Sequence, residues 1–167
     1  MKKVQVQQLS VEAFLPYGTY ARHIDPQAVK MGQPPVEFFR DMVQLNLGGH
    51  SIASLSTCRV EKRDLVIGFS ENHSSSGEGI LPLDNDILIH VAPATPPRMG
   101  VPVDDVKVFY VPKGTAVCLR PGTWHGAPFT ANDDPANVLI VLPERAYAND
   151  FAAARHEPED QIQIVGL

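Results

Sequence analysis

Two histidines and a glutamate are the residues of this sequence whose types and spacing most favour chemistry. Four residues separate His73 from Glu78, and His125 ends the run Arg-Pro-Gly-Thr-Trp-His at residues 120–125. Because the unperturbed pKa of histidine lies near physiological pH, His and Glu can act either as metal ligands or as an acid–base pair. These residues alone leave both roles open.

The first part of this site is expected to lie on one β-hairpin. Side chains alternate between the two faces of a strand, so Glu71 and His73 would point the same way. A turn at residues 74–77, Ser-Ser-Ser-Gly, would then return Glu78 towards them. One hairpin is thus predicted to supply up to three polar groups.

A second hairpin is expected to supply the other imidazole. The apolar run at residues 115–119 follows a Pro-Lys-Gly turn and is typical of a strand. The Pro-Gly pair at residues 121–122 would turn the chain so that Trp124 and His125 begin the next strand. The two hairpins together would bring His73, Glu78 and His125 into one cavity.

The whole sequence predicts an all-β fold with short helices outside the sheets. Runs rich in Val, Ile, Leu and Phe alternate with clusters of Pro, Gly, Asn and Asp, and helical periodicity is scarce. A helix capped by Ser10 is predicted at 11–14, and a second at 146–155. Segment 19–46 is expected to be less regular. Strands are predicted at 50–61, 65–69, 78–83, 86–92, 107–111, 115–119, 137–142 and 161–165, with loops at 94–102 and 131–135.

Length and composition set limits on the class of protein. With 167 residues, 44% of them hydrophobic, the chain is expected to form a single domain over residues 1–167. A net charge of −5 disfavours a nucleic-acid partner, and no apolar stretch approaches the ~18 residues of a membrane span. The N-terminal residues lack the apolar core of a secretory signal, so the cytoplasm is expected. Cys58 and Cys118 are too few and too far apart to predict a disulfide framework or a zinc–thiolate site.

The spacing of the site residues resembles the two motifs of the cupin superfamily. His73 and Glu78 fall in register with the first motif, in which Glu71 takes the place of the leading histidine. Gly122 and His125 fall in register with the second. This resemblance implies a cupin-type double-stranded β-helix barrel.

A narrower resemblance is to the ureidoglycolate lyase family of cupins. The segment Gly-Thr-Trp-His-Gly-Ala-Pro at residues 122–128 is similar to one late in that family, and residues 71–83 with Val-Ala-Pro at 91–93 are similar to its central block. The likeness covers roughly residues 55–145. Two departures are Asn72, where the family usually has Arg, and Gly77-Glu78, where it usually has Ser-Gln.

The resemblance implies an enzyme of allantoin (purine) catabolism that cleaves ureidoglycolate to glyoxylate and urea. His73, Glu78 and His125 would be catalytic, or would bind a divalent metal such as Zn, Mn, Fe or Ni, with Glu71 as a further ligand. Carboxylate binding is assigned to an arginine, Arg120 in the first place. Further candidates for the substrate pocket are Trp124, Tyr110 and His90, although each of them also suits plain packing; Arg59 and Arg98 are alternatives to Arg120.

Two other functions remain open at this point. Glu78 in place of a neutral amide favours a metal-dependent cupin of another reaction class, such as an isomerase or dioxygenase acting on a sugar or keto acid. A cupin that binds a small ligand without catalysis is the third alternative. The resemblance also implies a homodimer, for which residues 4–6 would offer an edge strand.

Overall fold

The computed structural model describes residues 1–96 and 98–167 and confirms the all-β prediction. The two helices are short, α1 (Val11–Phe14) and α2 (Ala146–Asn149). The strands are β1 (Lys2–Gln8), β2 (Gly18–Arg22), β3 (Lys30–Gln33), β4 (Val36–Phe39), β5 (Ala53–Val60), β6 (Val66–Ile67), β7 (Phe69–Asn72), β8 (Glu78–Pro82), β9 (Ile87–Val91), β10 (Lys107–Val111), β11 (Thr115–Leu119), β12 (Phe129–Thr130), β13 (Ala136–Pro143), β14 (Ala152–Arg155) and β15 (Ile162–Val165).

Two curled sheets form the barrel. The six-stranded sheet has the order β12-β9-β10-β1-β15-β6, and the five-stranded sheet has the order β2-β11-β8-β13-β5. Two smaller pairs, β7 with β14 and β3 with β4, lie beside them. Neither predicted hairpin forms, because β7 pairs with β14 while β8 pairs with β11 and β13. Likewise, Trp124 and His125 pair with Ala92 and Glu71 and not with β11. Pairing between strands distant in sequence instead brings the β7–β8 connection close to the segment after β11.

The barrel interior is filled by alternate residues of facing strands. Ile80 of β8 and Val117 of β11 pack against Ile89 of β9 and Phe109 of β10, and all four are almost fully buried. The intervening residues of β9 and β10, such as Leu88, belong to a second apolar cluster on the other face of the six-stranded sheet. The period of two along each strand therefore separates an inner core from an outer one.

Several elements lie where the sequence predicts them. Strands β10 and β11 have the predicted bounds, and the side chain of Ser10 accepts a hydrogen bond of 3.1 Å from the backbone N–H of Ala13 at the start of α1. The predicted loop at 131–135 connects β12 and β13. Within the predicted loop at 94–102, Pro97 lies outside the described residues. Cys58 and Cys118 are both free thiols.

Besides the two hairpins, the helix predicted over the whole of 146–155 and the edge strand predicted at 4–6 are wrong. Helix α2 ends at Asn149, and Ala152–Arg155 instead forms β14, because the edge of β7 offers backbone hydrogen bonds that outweigh the helical preference of the alanines. Segment 19–46 contains β2, β3 and β4. Residues 4–6 are no free edge, since β1 pairs with both β10 and β15.

No helix within residues 1–96 and 98–167 combines the length and the apolar character needed to cross a membrane.

Candidate active site

Three buried side chains meet at one carboxylate oxygen. The Nε2 atom of His73 lies 3.2 Å from Oε2 of Glu78, and Nε2 of His125 lies 2.9 Å from the same oxygen. Each of the three residues is no more than 5% exposed. The structure therefore brings together the three residues that the sequence analysis selected, although the two segments that carry them are not hairpins.

The two segments that carry these residues are joined through the backbone of β7. The N–H of Glu71 donates to the carbonyl of His125 (2.7 Å), and the N–H of His125 donates to the carbonyl of Glu71 (2.9 Å). Glu78 begins β8 on the same face as Ile80, which lies in the inner core. The cluster thus lies inside the barrel, where the protein surrounds it on most sides.

Both imidazoles use Nδ1 to hold their orientation. Nδ1 of His73 lies 2.5 Å from the carbonyl oxygen of Asp150, and Nδ1 of His125 lies 2.8 Å from that of Thr123. A carbonyl oxygen can only accept, so each Nδ1 carries the proton. In a neutral ring, Nε2 then presents a lone pair to the Glu78 carboxylate. A proton or a metal ion must therefore lie between these atoms for their approach to be favourable.

The pKa values follow from this convergence. Burial works against ionisation of Glu78, but the neighbouring imidazoles, His125 foremost, lower its pKa to about 2. Burial alone would lower the pKa values of His73 and His125; the hydrogen bonds and charge of Glu78 outweigh it and raise both. The carboxylate is therefore ionised at neutral pH, and it attracts positive charge to the two Nε2 atoms.

The donor set also fits a divalent metal. One ligand atom from each of His73, Glu78 and His125 lies within 4.8 Å of the other two. Metal–ligand distances of about 2.0–2.2 Å place neighbouring ligand atoms about 3 Å apart, close to the two separations from Glu78. Metal-binding histidines commonly donate their other N–H to a carbonyl, as both rings do here. Two imidazoles with one carboxylate suit Zn, Mn, Fe or Ni.

Asp150 is a residue of the site that the sequence analysis missed. Its carboxylate accepts hydrogen bonds of 2.7–3.2 Å from the backbone N–H groups of Ser74, Ser75 and Ser76 and from the hydroxyls of Ser74 and Ser76. These bonds lower the pKa of Asp150, against the effect of burial. Since its carbonyl also accepts from His73, Asp150 fixes the turn that separates His73 from Glu78.

Two aromatic residues near α2 cover the His73 ring. The ring centroid of Tyr147 lies 5.7 Å from that of His73 in an edge-on arrangement, and the centroid of Phe151 lies 6.3 Å away. The segment predicted to pack outside the sheet therefore forms part of the site wall. The helix prediction was based on the clustered alanines of residues 146–155. That alanine pattern does not indicate a role for the two aromatic residues.

Glu71 is a second carboxylate at the site. It is partly exposed and pairs through its backbone with His125. Burial and the charge of Glu78 raise its pKa, although His125 and His73 act in the opposite direction. Unlike Glu78, Glu71 has no side-chain hydrogen bond to a described residue. Glu71 therefore binds a proton more readily than an ordinary glutamate does.

The structure does not bring the other predicted pocket residues to this cluster. Trp124 is buried in the outer core, where its Nε1 donates to Thr95 Oγ1 at 2.8 Å. Tyr110 packs at the same outer core, and its hydroxyl donates to the carboxylate of Asp86. His90 alternates with the inner residues of β9, so it faces away from the barrel interior.

The candidate arginines also lie elsewhere. Arg120 is exposed and lines a separate cavity of about 640 Å³ beside β11, together with Asp41 and Cys118. Arg59 is exposed on β5, with its Nε 3.7 Å from Glu61, and Arg98 is also exposed. Within the part of the chain that the structure describes, no lysine or arginine forms an ion pair with Glu71 or Glu78. A substrate carboxylate would therefore depend on another cation.

The double-stranded β-helix barrel, with a His-Glu-His cluster inside it, places the protein in the cupin class. Among solved structures, the chain is similar to a dTDP sugar isomerase from Desulfovibrio desulfuricans G20, with 12% identity, a TM-score of 0.51, and coverage of 86% of this chain and 87% of that one. It is also similar to Bacillus subtilis oxalate decarboxylase, with 12% identity, a TM-score of 0.43 and coverage of 62% of this chain. The match spans only 23% of the oxalate decarboxylase chain.

The particular family is shown by sequence. The family model described as ureidoglycolate lyase matches residues 1–164, so this chain belongs to the ureidoglycolate lyase family. No curated protein matches the chain at a significant level. The match extends beyond the region of roughly 55–145 that carries the motifs.

Proposed function

We propose that this protein is a carbon–nitrogen lyase that cleaves ureidoglycolate to glyoxylate and urea at the His73–Glu78–His125 cluster. The observation that supports it best is the meeting of both Nε2 atoms at one oxygen of Glu78 inside the barrel. Membership of the ureidoglycolate lyase family supports the same reaction. The product classes are a small aldehyde acid and an amide.

The reaction needs one proton to change place. The hydroxyl oxygen of ureidoglycolate loses its proton and forms the carbonyl group of glyoxylate while the carbon–nitrogen bond breaks. The ureido nitrogen takes the electron pair of that bond and gains a proton, which gives urea. No oxidant, water or covalent nucleophile is consumed, so a single acid–base group beside the substrate balances the reaction.

His73, Glu78 and His125 would hold a divalent metal, which when bound would polarise substrate oxygens and supply positive charge for the substrate carboxylate. The charge count favours this role. With both imidazoles neutral, Glu78 leaves the cluster negative, and ionised Glu71 adds to this charge. An anionic substrate is repelled by such a site unless a cation compensates it.

Glu71 is the group that we assign to proton transfer. The Nε2 atoms of His73 and His125 both point at Glu78. When a cation lies between these groups, the lone pairs of the two Nε2 atoms are used to bind it and cannot accept a proton from the substrate. Glu71 is partly exposed beside His125, and its raised pKa suits a carboxylate that alternates between base and acid. It would accept the hydroxyl proton and return it to the ureido nitrogen.

The direct test is the release of urea and glyoxylate from ureidoglycolate by purified protein loaded with Mn, Zn, Fe or Ni in separate samples. Glu71→Gln should lower kcat by about 10²–10⁴-fold, the usual contribution of a placed acid–base group, while metal content stays unchanged. The matched control is Glu61→Gln, which replaces an exposed glutamate outside the cluster. Absence of both products with every metal would overturn the proposal.

One observation favours a second candidate function. Two histidines and one carboxylate are the ligand set of metal-dependent oxygenases as well, and they suit metal-dependent isomerases. A protein that retains stoichiometric metal but leaves ureidoglycolate intact would belong to this second class. Consumption of dioxygen, or epimerisation of a sugar or keto acid, would then be the assay to follow.

A further inference from the structure

A separate cavity of about 410 Å³ is lined by residues of β6, β7, β9, β12 and β14, and none of its lining residues belongs to the His-Glu-His cluster. Its polar lining comes from Arg63, His90, Arg155 and Gln161, and Gly68 lies at its wall. The remaining lining residues are apolar, and none of them is acidic. The cavity thus carries two guanidinium groups without a compensating carboxylate.

Arg63 is held rigidly at this cavity. Its Nη2 donates to the carbonyl oxygens of Ala127 (2.9 Å) and Pro128 (3.0 Å), and its Cζ lies 3.6 Å from the ring centroid of Phe129. A guanidinium group has five N–H donors, so those on Nε and Nη1 stay unused. Among the described residues none accepts from them, and no carboxylate forms an ion pair with Arg63.

Arg155 supplies a second cation from another element. It lies on β14 opposite Phe69 of β7 and forms no ion pair with any described residue. Its exposed side chain is free to turn towards the cavity. Arg63 and Arg155 therefore offer one fixed and one adaptable guanidinium group, the donors that bind carboxylate and phosphate best.

His90 adds a buried polar atom without a partner. Ser70 Oγ lies 3.1 Å from Nε2 of His90 and 3.1 Å from Nε2 of His156, while Nδ1 of each ring is buried and makes no hydrogen bond to a described residue. One hydroxyl has one proton, so it can donate to only one ring and must accept from the other. One of the two neutral rings therefore carries an unsatisfied Nδ1–H, which costs stability until an acceptor is present.

We infer that this cavity is a binding site for a small oxyanion, a carboxylate or a phosphate, held by Arg63 and Arg155 beside His90. Its volume suits a ligand of metabolite size. The absence of acidic residues from its lining favours an anion over a cation. This inference does not depend on the proposed lyase activity, because the residues involved are distinct from Glu71 and the His-Glu-His cluster.

The test is isothermal titration of the full chain with inorganic phosphate and, separately, with succinate. Wild type should bind at least one of them at a single site. The probe that binds shows whether the site takes a phosphate or a carboxylate. Arg155→Gln should weaken binding by about tenfold or more, since it removes a charge-assisted hydrogen bond. Arg59→Gln, an exposed arginine on β5, should bind like wild type.

A steric variant separates cavity binding from general attraction to positive charge. A Cβ at position 68 would be in ordinary van der Waals contact with the side chain of Gln161, at 3.8 Å, so the backbone there accepts a side chain. Because Gly68 lines the cavity, Gly68→Leu is expected to occupy part of its volume. This variant should lose binding although both arginines remain. The inference is overturned if neither probe binds to wild type, if Arg155→Gln and Gly68→Leu bind as wild type does, or if Glu78→Gln is the variant that abolishes binding.

Discussion

At the scale of single residues, the sequence predicted the three chemical groups but not the residue that fixes them. His73, Glu78 and His125 could be selected by residue type and motif spacing, although the two hairpins expected to carry them do not form. Asp150 could not be selected in this way, since its serine partners lie far from it in sequence and a lone aspartate carries no motif. Its role follows only from the fold, which returns the chain from α2 to the turn at residues 74–76.

Replacement of Asp150 tests this positioning role. In Asp150→Asn, one carboxylate oxygen becomes an NH₂ group that faces the serine N–H donors, and the charge is lost. We expect a loss of about 2–4 kcal/mol in the free energy of unfolding, measured in urea, together with weaker metal binding. Asp133→Asn, which removes an exposed ion pair with Lys62, should change stability by less than about 1 kcal/mol. Equal effects of the two variants would contradict a special role for Asp150.

Glu78 decides between metal-assisted and metal-free chemistry. The resemblance described above implies Gln at this position, and Glu78→Gln tests what the carboxylate adds. If the carboxylate binds a metal, the variant should lose metal affinity by at least about tenfold, and ureidoglycolate turnover should fall in proportion. Metal content by elemental analysis and urea release are measured on the same sample. Full activity without bound metal would show that Glu78 is dispensable.

At the scale of elements, apolar alternation predicted the barrel strands well, whereas contacts between elements decided the rest. Strands β10 and β11 are bounded by turn residues on both sides, so their limits could be read from the sequence. Ala152–Arg155 has the composition of a helix and becomes a strand because the edge of β7 is available. No local sequence pattern predicts that the edge of β7 lies next to residues 152–155. The wall of the active site built by Tyr147 and Phe151 was missed for the same reason.

His90, on the outward face of β9, makes the free energy of unfolding depend on pH. Burial, with smaller effects of His125 and His156, lowers the pKa of His90 from 6.5 to about 3. Below pH 6.5 the unfolded chain binds a proton at this position that the folded protein does not. The stability contributed by neutral His90 is therefore present above this pH and lost as the pH falls towards 3, by up to ~1.4 kcal/mol per pH unit.

This dependence can be measured by urea unfolding over a series of pH values. His90→Leu should reduce the slope of unfolding free energy against pH in the acidic range. The slope for His23→Leu, which replaces an exposed histidine, should equal that of wild type. Identical slopes for all three proteins would show that His90 is protonated in the folded state.

At the scale of the whole molecule, the site connects distant parts of the barrel. His73 and Glu78 lie at the two ends of the β7–β8 connection, and His125 lies between β11 and β12, so the three side chains are separated when the chain unfolds. A bound metal should therefore raise the melting temperature, by an amount equivalent to about 2.7 kcal/mol at a free metal concentration of 100 times Kd. Differential scanning calorimetry with and without metal measures this shift.

The metal-induced rise in melting temperature is checked with a variant that lacks one of the three side chains of the cluster. His125→Ala should lose most of the metal-induced shift, whereas His50→Ala, outside the cluster, should retain it. A shift of the same size in both variants would mean that metal binds elsewhere on the protein. The sequence predicted the three side chains of this cluster, but it did not predict that, among the described residues, no lysine or arginine forms an ion pair with Glu71 or Glu78.

The position of β1 has a consequence for biosynthesis. Lys2–Gln8 is translated long before its two neighbours, Lys107–Val111 and Ile162–Val165. Until the last of them emerges, one side of Lys2–Gln8 keeps unpaired amide and carbonyl groups that another nascent chain can capture. Slower translation of the stretch that encodes residues 107–165 would prolong this interval, so aggregation during expression should increase with it.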